Sequence, residues 1–112
     1  MIIYHNPRCS KSRQALGLLK ENGEEPEIIE YLKQPLGQAE LEGLLKKLKI
    51  PAHDLLRVKE DEYNELGLSP ETPEEDILTA IALNPILLER PIVVKGRKAV
   101  IARPPELAED LL

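Results

Sequence analysis

The chain has 112 residues, which is room for one domain and little more. With 20 acids against 15 bases the formal charge is −5, which excludes the broad basic surface that nonspecific nucleic-acid binding needs. Hydrophobic residues make up 42% with no Trp and no Phe, so the expected core is aliphatic and rich in leucine.

Met1-Ile2-Ile3-Tyr4 is a short apolar run and reads as a buried strand, closed by His5-Asn6-Pro7. A helix is expected from Cys9 or Ser10. Its buried face is Ala15, Leu16, Leu18 and Leu19, and Asn22-Gly23 is its stop signal. Glu27 to Tyr31 reads as a second strand. Strand, helix and strand in about 30 residues make a βαβ unit with parallel strands. Pro35 and Gly37 break the chain. Leu41, Leu44, Leu45 and Leu48 then recur at i, i+3, i+4 and i+7, the stripe of an amphipathic helix.

Beyond Pro51 a short helix is expected through Asp54-Leu55-Leu56-Arg57, and another from Asp61 to Leu66, ending at Gly67. Thr72-Pro73-Glu74-Glu75 predicts a helix start, with Thr72 as N-cap, Pro73 in the first helical position and Glu75 completing a capping box. Ile77, Ala80 and Ile81 are its expected buried stripe, and Asn84-Pro85 its end. Ile92-Val93-Val94 and Ala99-Val100-Ile101 flank Lys95-Gly96-Arg97-Lys98 as a β-hairpin. A last short helix follows Pro104-Pro105. There is no internal repeat and no low-complexity segment. The order β-α-β, helices, β-β-α predicts an α/β protein with a four-stranded mixed sheet and flanking helices. A helical insertion separates the βαβ and ββα units. This is the plan of a thioredoxin-like fold, expected to form one domain over residues 1–112.

The charge is unevenly placed. Residues 1–20 carry Arg8, Lys11, Arg13 and Lys20 and no acid, +4. The remaining residues carry the other 11 bases and all 20 acids, −9. The basic segment also holds Cys9, the only cysteine. A lone cysteine is commonly a small buried hydrophobe, but Cys9 lies in a polar loop, between Arg8 and Ser10. It is expected where a strand feeds a helix. There the exposed N–H groups, the positive end of the helix dipole and nearby cations all favour a thiolate and can hold an oxyanion. Cys9-Ser10-Lys11-Ser12 reads C-x-x-S. Ser12 stands where a resolving cysteine would, so any second thiol must come from another molecule. One cysteine makes no internal disulfide, and no signal segment or membrane-spanning run is visible, so the expected location is cytoplasmic.

Arg90 precedes the first hairpin strand and Arg103 follows the second, so both are expected at one end of the sheet, together with Cys9. Each is followed by proline. An arginine fork suits an oxyanion. Arg57 is a third candidate whose reach the sequence does not establish. Arg97 and Lys98, in the hairpin turn, are assigned to solvent. His5 either tunes the thiolate or serves as an ordinary loop histidine bonded to backbone. His53 is expected at the surface. Two distant histidines and one cysteine form no metal-ligand pattern.

Taken together, I-Y-H-N-P-R-C at residues 3–9, Ser12-Arg13, L-L-R at 55–57, Y-N-E-L-G-L at 63–68, N-P-I-L at 84–87, E-R-P-I-V-V at 89–94 and A-R-P-P-E at 102–106 resemble the glutaredoxin-dependent arsenate reductases, the ArsC-like family. The resemblance covers nearly the whole chain. It implies that Cys9 is the nucleophile with His5 close to it, and that Arg57, Arg90 and Arg103 bind the oxyanion. Ser10, Lys11 and Ser12 would form the rest of the anion loop, and a cis peptide is implied before Pro91.

It further implies arsenate as substrate, glutathione as co-substrate, glutaredoxin as partner, and no tightly bound cofactor or metal. No membrane or nucleic-acid partner is implied. Ser10-Lys11 stands where the well-characterised members have Gly-Thr, and the chain stops soon after its last helix. These features mark a short Cys-Ser-Lys-Ser branch. Two alternatives stay open: a monothiol glutathione-dependent thiol-disulfide oxidoreductase, and an Spx-like regulator that binds RNA polymerase. The redox-sensing members of the latter group carry C-x-x-C here.

Overall fold

The computed structural model describes residues 1–112. The chain divides into two compact units, residues 1–34 with 90–112, and residues 35–89.

The first unit carries the sheet. Strand β1 (Ile2–His5) leads through a tight turn into helix α1 (Ser10–Glu21), and the chain returns as β2 (Glu27–Glu30), parallel to β1. Asn22 caps α1, and Gly23 takes the positive φ of 81° that reverses the chain, which costs glycine nothing sterically. Strands β3 (Ile92–Lys95) and β4 (Lys98–Ile101) form the hairpin, with Lys95 paired to Lys98 and Gly96 at φ 62° in the two-residue turn. β3 runs antiparallel to β1, and the sheet order is β2-β1-β3-β4.

The side chains explain the layering. Ile3 and Val93 are fully buried and paired across β1 and β3. They join Ala15 and Leu19 of α1, Ala102, and Ala108 from a C-terminal 3-10 helix (Pro105–Leu111) in one aliphatic cluster. α1 and the C-terminal helix therefore pack together against one face of the sheet. β2 is an edge strand, and its Ile28 remains 43% exposed. Arg90–Pro91 is cis, as the resemblance implied, and so is Arg103–Pro104, which nothing in the sequence reading anticipated.

The second unit is helical. α2 (Gln38–Leu48) buries Leu41, Leu44, Leu45 and Leu48, the stripe read from the sequence. The Glu40 carboxylate accepts the Gly37 N–H at 3.3 Å, and Lys49 ends the helix in the left-handed conformation at φ 56°. α4 (Glu74–Leu83) packs against α2 with Ile77, Leu78 and Ile81 buried. Ala80, expected in that stripe, is only half-buried.

Several local expectations are corrected. The predicted helix through Arg57 is a 3-10 turn over Ala52–Leu55. It stops there because Leu56 pairs with Leu88 in an isolated antiparallel bridge and the Arg57 N–H donates to the Leu87 carbonyl at 2.8 Å. Arg57 is therefore not on a helix. Thr72 does not cap α4: its hydroxyl accepts the Ser69 N–H at 2.9 Å within a Ser69–Thr72 turn, and Pro73 takes the cap position. His53 is half-buried rather than a free surface residue, because its Nε2 hydrogen-bonds the Tyr63 hydroxyl at 2.8 Å from the short helix α3 (Asp61–Glu65).

Leu19 fills the sheet–helix cluster completely, so Leu19→Ala should cost about 2–5 kcal/mol of stability. Ile28→Ala on the edge strand should cost less than about 1 kcal/mol. Urea unfolding monitored by circular dichroism distinguishes them, and comparable losses would contradict the assignment of the core.

Candidate active site at the strand-to-helix junction

The junction between β1 and α1 is built from three local hydrogen bonds. The Asn6 side-chain oxygen accepts the Arg8 N–H at 3.0 Å, an Asx turn. The Cys9 N–H donates to the Asn6 carbonyl at 3.0 Å, and the Cys9 carbonyl accepts the first helical bond from Arg13 at 3.0 Å. Cys9 is thus the N-cap of α1, with extended backbone at φ −95° and ψ 122° and no side-chain cap bond. Its thiol is half-exposed. The N–H groups of the first turn have no carbonyl within the helix to accept them. They belong to Ser10, Lys11 and Ser12. The first turn holds no acid, so no carboxylate of the turn itself offsets the positive end of the helix dipole.

Ser12 is fully buried, and its hydroxyl serves two partners. It accepts the Asn6 N–H at 3.1 Å and lies 2.6 Å from His5 Nδ1. His5 is the last residue of β1 and is itself buried. Its observed hydrogen-bond partner is a side chain, that of Ser12, rather than the backbone. Burial holds the His5 imidazole below its ordinary value of 6.5. Glu30 opposes that shift, and Arg13 and Lys20 reinforce it. With the ring neutral, the Ser12 O–H can donate to Nδ1 while its oxygen accepts from Asn6, so the hydroxyl is satisfied in both roles.

Arg13 adds a clasp that the sequence reading did not single out. Its Nη1 donates to the Pro7 carbonyl at 2.9 Å, tying the loop before Cys9 to the first turn of the helix. Asn6 was also missed as a structural residue. Its position two residues before Arg8 fits an Asx turn, a signal the sequence does contain. Beside the loop lies a cleft of about 250 Å³ lined by His5, Asn6, Pro7 and Arg8 on one side and Glu30, Leu32 and Lys33 on the other.

The strand register accounts for the arginines. Tyr4 pairs with Ile92, and Ile92 pairs with Ile101. The end of β1, the start of β3 and the end of β4 therefore share one end of the sheet. Arg90 and Arg103 lie there, as expected, at the end from which the Cys9 loop leaves. The Arg103 Nη1 donates to the Arg90 carbonyl at 3.1 Å, and Nε and Nη1 of Arg90 are shielded from solvent. Arg103, Ser10 and Lys11 are exposed. Arg57 belongs to the helical unit, where it is half-buried and ion-paired with Glu60. Arg97, in the hairpin turn, and Lys98, which opens β4 rather than lying in the turn, are exposed at the other end of the sheet. No group of three or more His, Cys, Asp or Glu residues is placed to hold a metal ion.

The ArsC family model matches residues 4–111. An Escherichia coli relative named "Uncharacterized protein YfgD" is 56% identical over 98% of this chain and 94% of its own length. An arsenate reductase of Neisseria meningitidis is 48% identical over 98% of this chain and 96% of its own. Among solved structures, an arsenate reductase from Vibrio cholerae superposes with a TM-score of 0.96 at 40% identity, covering 99% of this chain and 96% of that one. The architecture is the α/β, thioredoxin-like fold of these relatives.

Ser12→Ala leaves the part-buried Asn6 N–H and the buried His5 Nδ1 without their partner and should destabilise by about 1–3 kcal/mol in urea unfolding. The pH dependence follows from the lowered His5 value. The unfolded chain takes up this proton near 6.5 while the folded protein resists it. The His5 contribution is thus complete above that pH and is lost as pH falls through 6.5 towards the lower folded value. The urea midpoint of the wild type should drop over that range more steeply than that of His5→Gln. Parallel curves would remove His5 as the cause.

Proposed function

This chain is a member of the ArsC family, and from that premise we propose that it reduces arsenate to arsenite, with Cys9 as the nucleophile. The observation that carries the reading is the place of Cys9: a half-buried cysteine capping the N-terminus of α1, followed by a first turn with no acid and with Lys11 and Arg13 close in sequence. The N–H groups of such a helix start can hold an oxyanion against the sulfur. Arg90 and Arg103, at the same end of the sheet, and Arg57 are the residues proposed to hold the arsenate oxygens. Lys11 and Ser10 would contribute from the exposed first turn. The buried Ser12 hydroxyl is already engaged by His5 and Asn6, so Ser12 is proposed to act on the anion through its backbone and through the shape it gives the loop.

In the proposed cycle the Cys9 thiolate attacks As(V), and one arsenate oxygen leaves as water after protonation. A Cys9–S–As(V) adduct results. A glutathione thiol then displaces a second arsenate oxygen, which leaves as water with the thiol proton, and an As–S bond to glutathione forms. A glutaredoxin thiolate attacks the glutathione sulfur, which departs as a mixed disulfide and leaves two electrons on arsenic. Water releases arsenite from the resulting As(III) and returns the Cys9 thiol. Glutathione and glutaredoxin supply the second sulfur that Ser12 cannot. The cycle calls for no bound cofactor, and the cytoplasm is the compartment where those thiols are kept reduced. No helix is long and apolar enough to cross a membrane.

The C-x-x-S loop also suits a monothiol oxidoreductase that exchanges glutathione mixed disulfides, since both chemistries start from the same thiolate. The assay that decides is arsenite formation by purified protein with glutathione and glutaredoxin. Wild type should produce arsenite and Cys9→Ser none. Arg90→Ala or Arg103→Ala should lower kcat/KM for arsenate by about 100-fold, as loss of one oxyanion-binding group does, with Arg97→Ala close to wild type. Deglutathionylation of a peptide with no arsenite formed would favour the oxidoreductase reading instead.

A further inference from the structure

The helical unit carries a groove that the thiol chemistry does not use. It has a volume of about 520 Å³ and runs between α4 and the Leu66–Leu68 turn that follows α3. Asp76, Thr79, Ala80 and Leu83 line it at helical spacing, on the side of α4 away from the buried Ile77, Leu78 and Ile81. Leu66 and Leu68 form the opposite wall. Two of its apolar residues are unusually open: Leu83 is 76% exposed and Leu66 50%. Leaving two leucines in water along one cleft forgoes burial that a partner would recover.

The charge around the groove is one-sided. Residues 60–83 hold eight acids and no base. Asp76 lines the groove, and Glu65 and Glu75 are next in sequence to Leu66 and Asp76 of its lining; all three are exposed and form no ion pair, whereas Glu60 is paired with Arg57 and Glu74 lies on the α2 side beside Lys46. We infer that this groove docks an amphipathic helical segment of another protein, with leucine-sized anchors and lysine or arginine flanks. Anchors spaced at i, i+3 or i+4 would meet Leu66 and Leu83, and the flanks would meet the acidic rim. A second copy of this chain is a poorer occupant. Groove against groove brings acid to acid. The basic segment of residues 1–20 buries Ala15 and Leu19, so it offers cations without an exposed anchor. The inference is independent of what Cys9 does.

The test uses the full chain and two synthetic peptides with leucines at i, i+3, i+4 and i+7, one filled out with lysine and the other with glutamate. Amide chemical shifts are followed by titration, with self-association measured in parallel by sedimentation. The lysine peptide should bind saturably, with shifts centred on Leu66, Leu68, Thr79 and Leu83. The glutamate peptide should bind at least about tenfold more weakly, and added salt should narrow that gap. Leu83→Ser should weaken the lysine peptide about tenfold. Leu66→Ser provides a second variant should the first melt early. Any of four results would overturn the inference: no saturable binding, equal affinity for both peptides, shifts centred elsewhere, or self-association that depends on Leu83, which would make the occupant a second copy.

Discussion

One buried hydroxyl holds the working end of this protein together. Ser12 sits in the first turn of α1, with its oxygen between His5 Nδ1, at the end of β1, and the Asn6 N–H, at the start of the turn. The three residues lie on the three pieces that must meet if Cys9 is to cap the helix. Without that hydroxyl, the buried His5 ring nitrogen and the part-buried Asn6 N–H lose their partner. With it, the strand, turn and helix share one geometry, and the Cys9 thiol is left half-exposed. Ser12 is also the position where a resolving cysteine would stand in a C-x-x-C site. Here it serves the scaffold, so the second sulfur in the proposed chemistry comes from outside.

The sheet brings the charges to that end. β3 lies beside β1 and runs antiparallel to it, so β3 starts where β1 finishes, and the hairpin returns β4 to the same place. Arg90 and Arg103 are far apart in the sequence from Cys9, yet this register gives all three the same edge. The Arg103 guanidinium then bonds the Arg90 backbone. Residues 60–83 of the helical unit hold eight acids and no base, and Asp76 among them lines an open apolar groove. The basic segment with the thiol belongs to the sheet-bearing unit, and the acidic stretch with the groove to the helical one.

Two local signals misled the sequence reading for the same reason. Thr72 followed by Pro73 and Glu75 has the composition of a capping box, and Leu55-Leu56-Arg57 continues an apolar helical pattern. In both places a competing hydrogen bond prevails. The Thr72 hydroxyl goes to Ser69, and the Leu56–Arg57 backbone goes to Leu87 and Leu88. Composition records which bonds a residue can make, and it does not rank two available partners. His53 shows the same limit: its partner, Tyr63, belongs to the next short helix.

By itself the sequence determined the elements with strong periodicity: the leucine stripe of α2, the βαβ start, the glycine-turn hairpin, and hence the four-stranded mixed sheet. It also determined that Cys9 stands in a basic strand-to-helix loop, because strand, turn residues and helix face are all written within about 20 positions. Only the tertiary structure decided what His5 and Ser12 do, that Arg13 clasps Pro7, and that Arg57 is paired with Glu60 off any helix. It alone revealed the groove beside α4. The physical reason is range. Periodicity and capping are fixed by neighbours along the chain, whereas the partner of a buried polar group is fixed by which elements pack together.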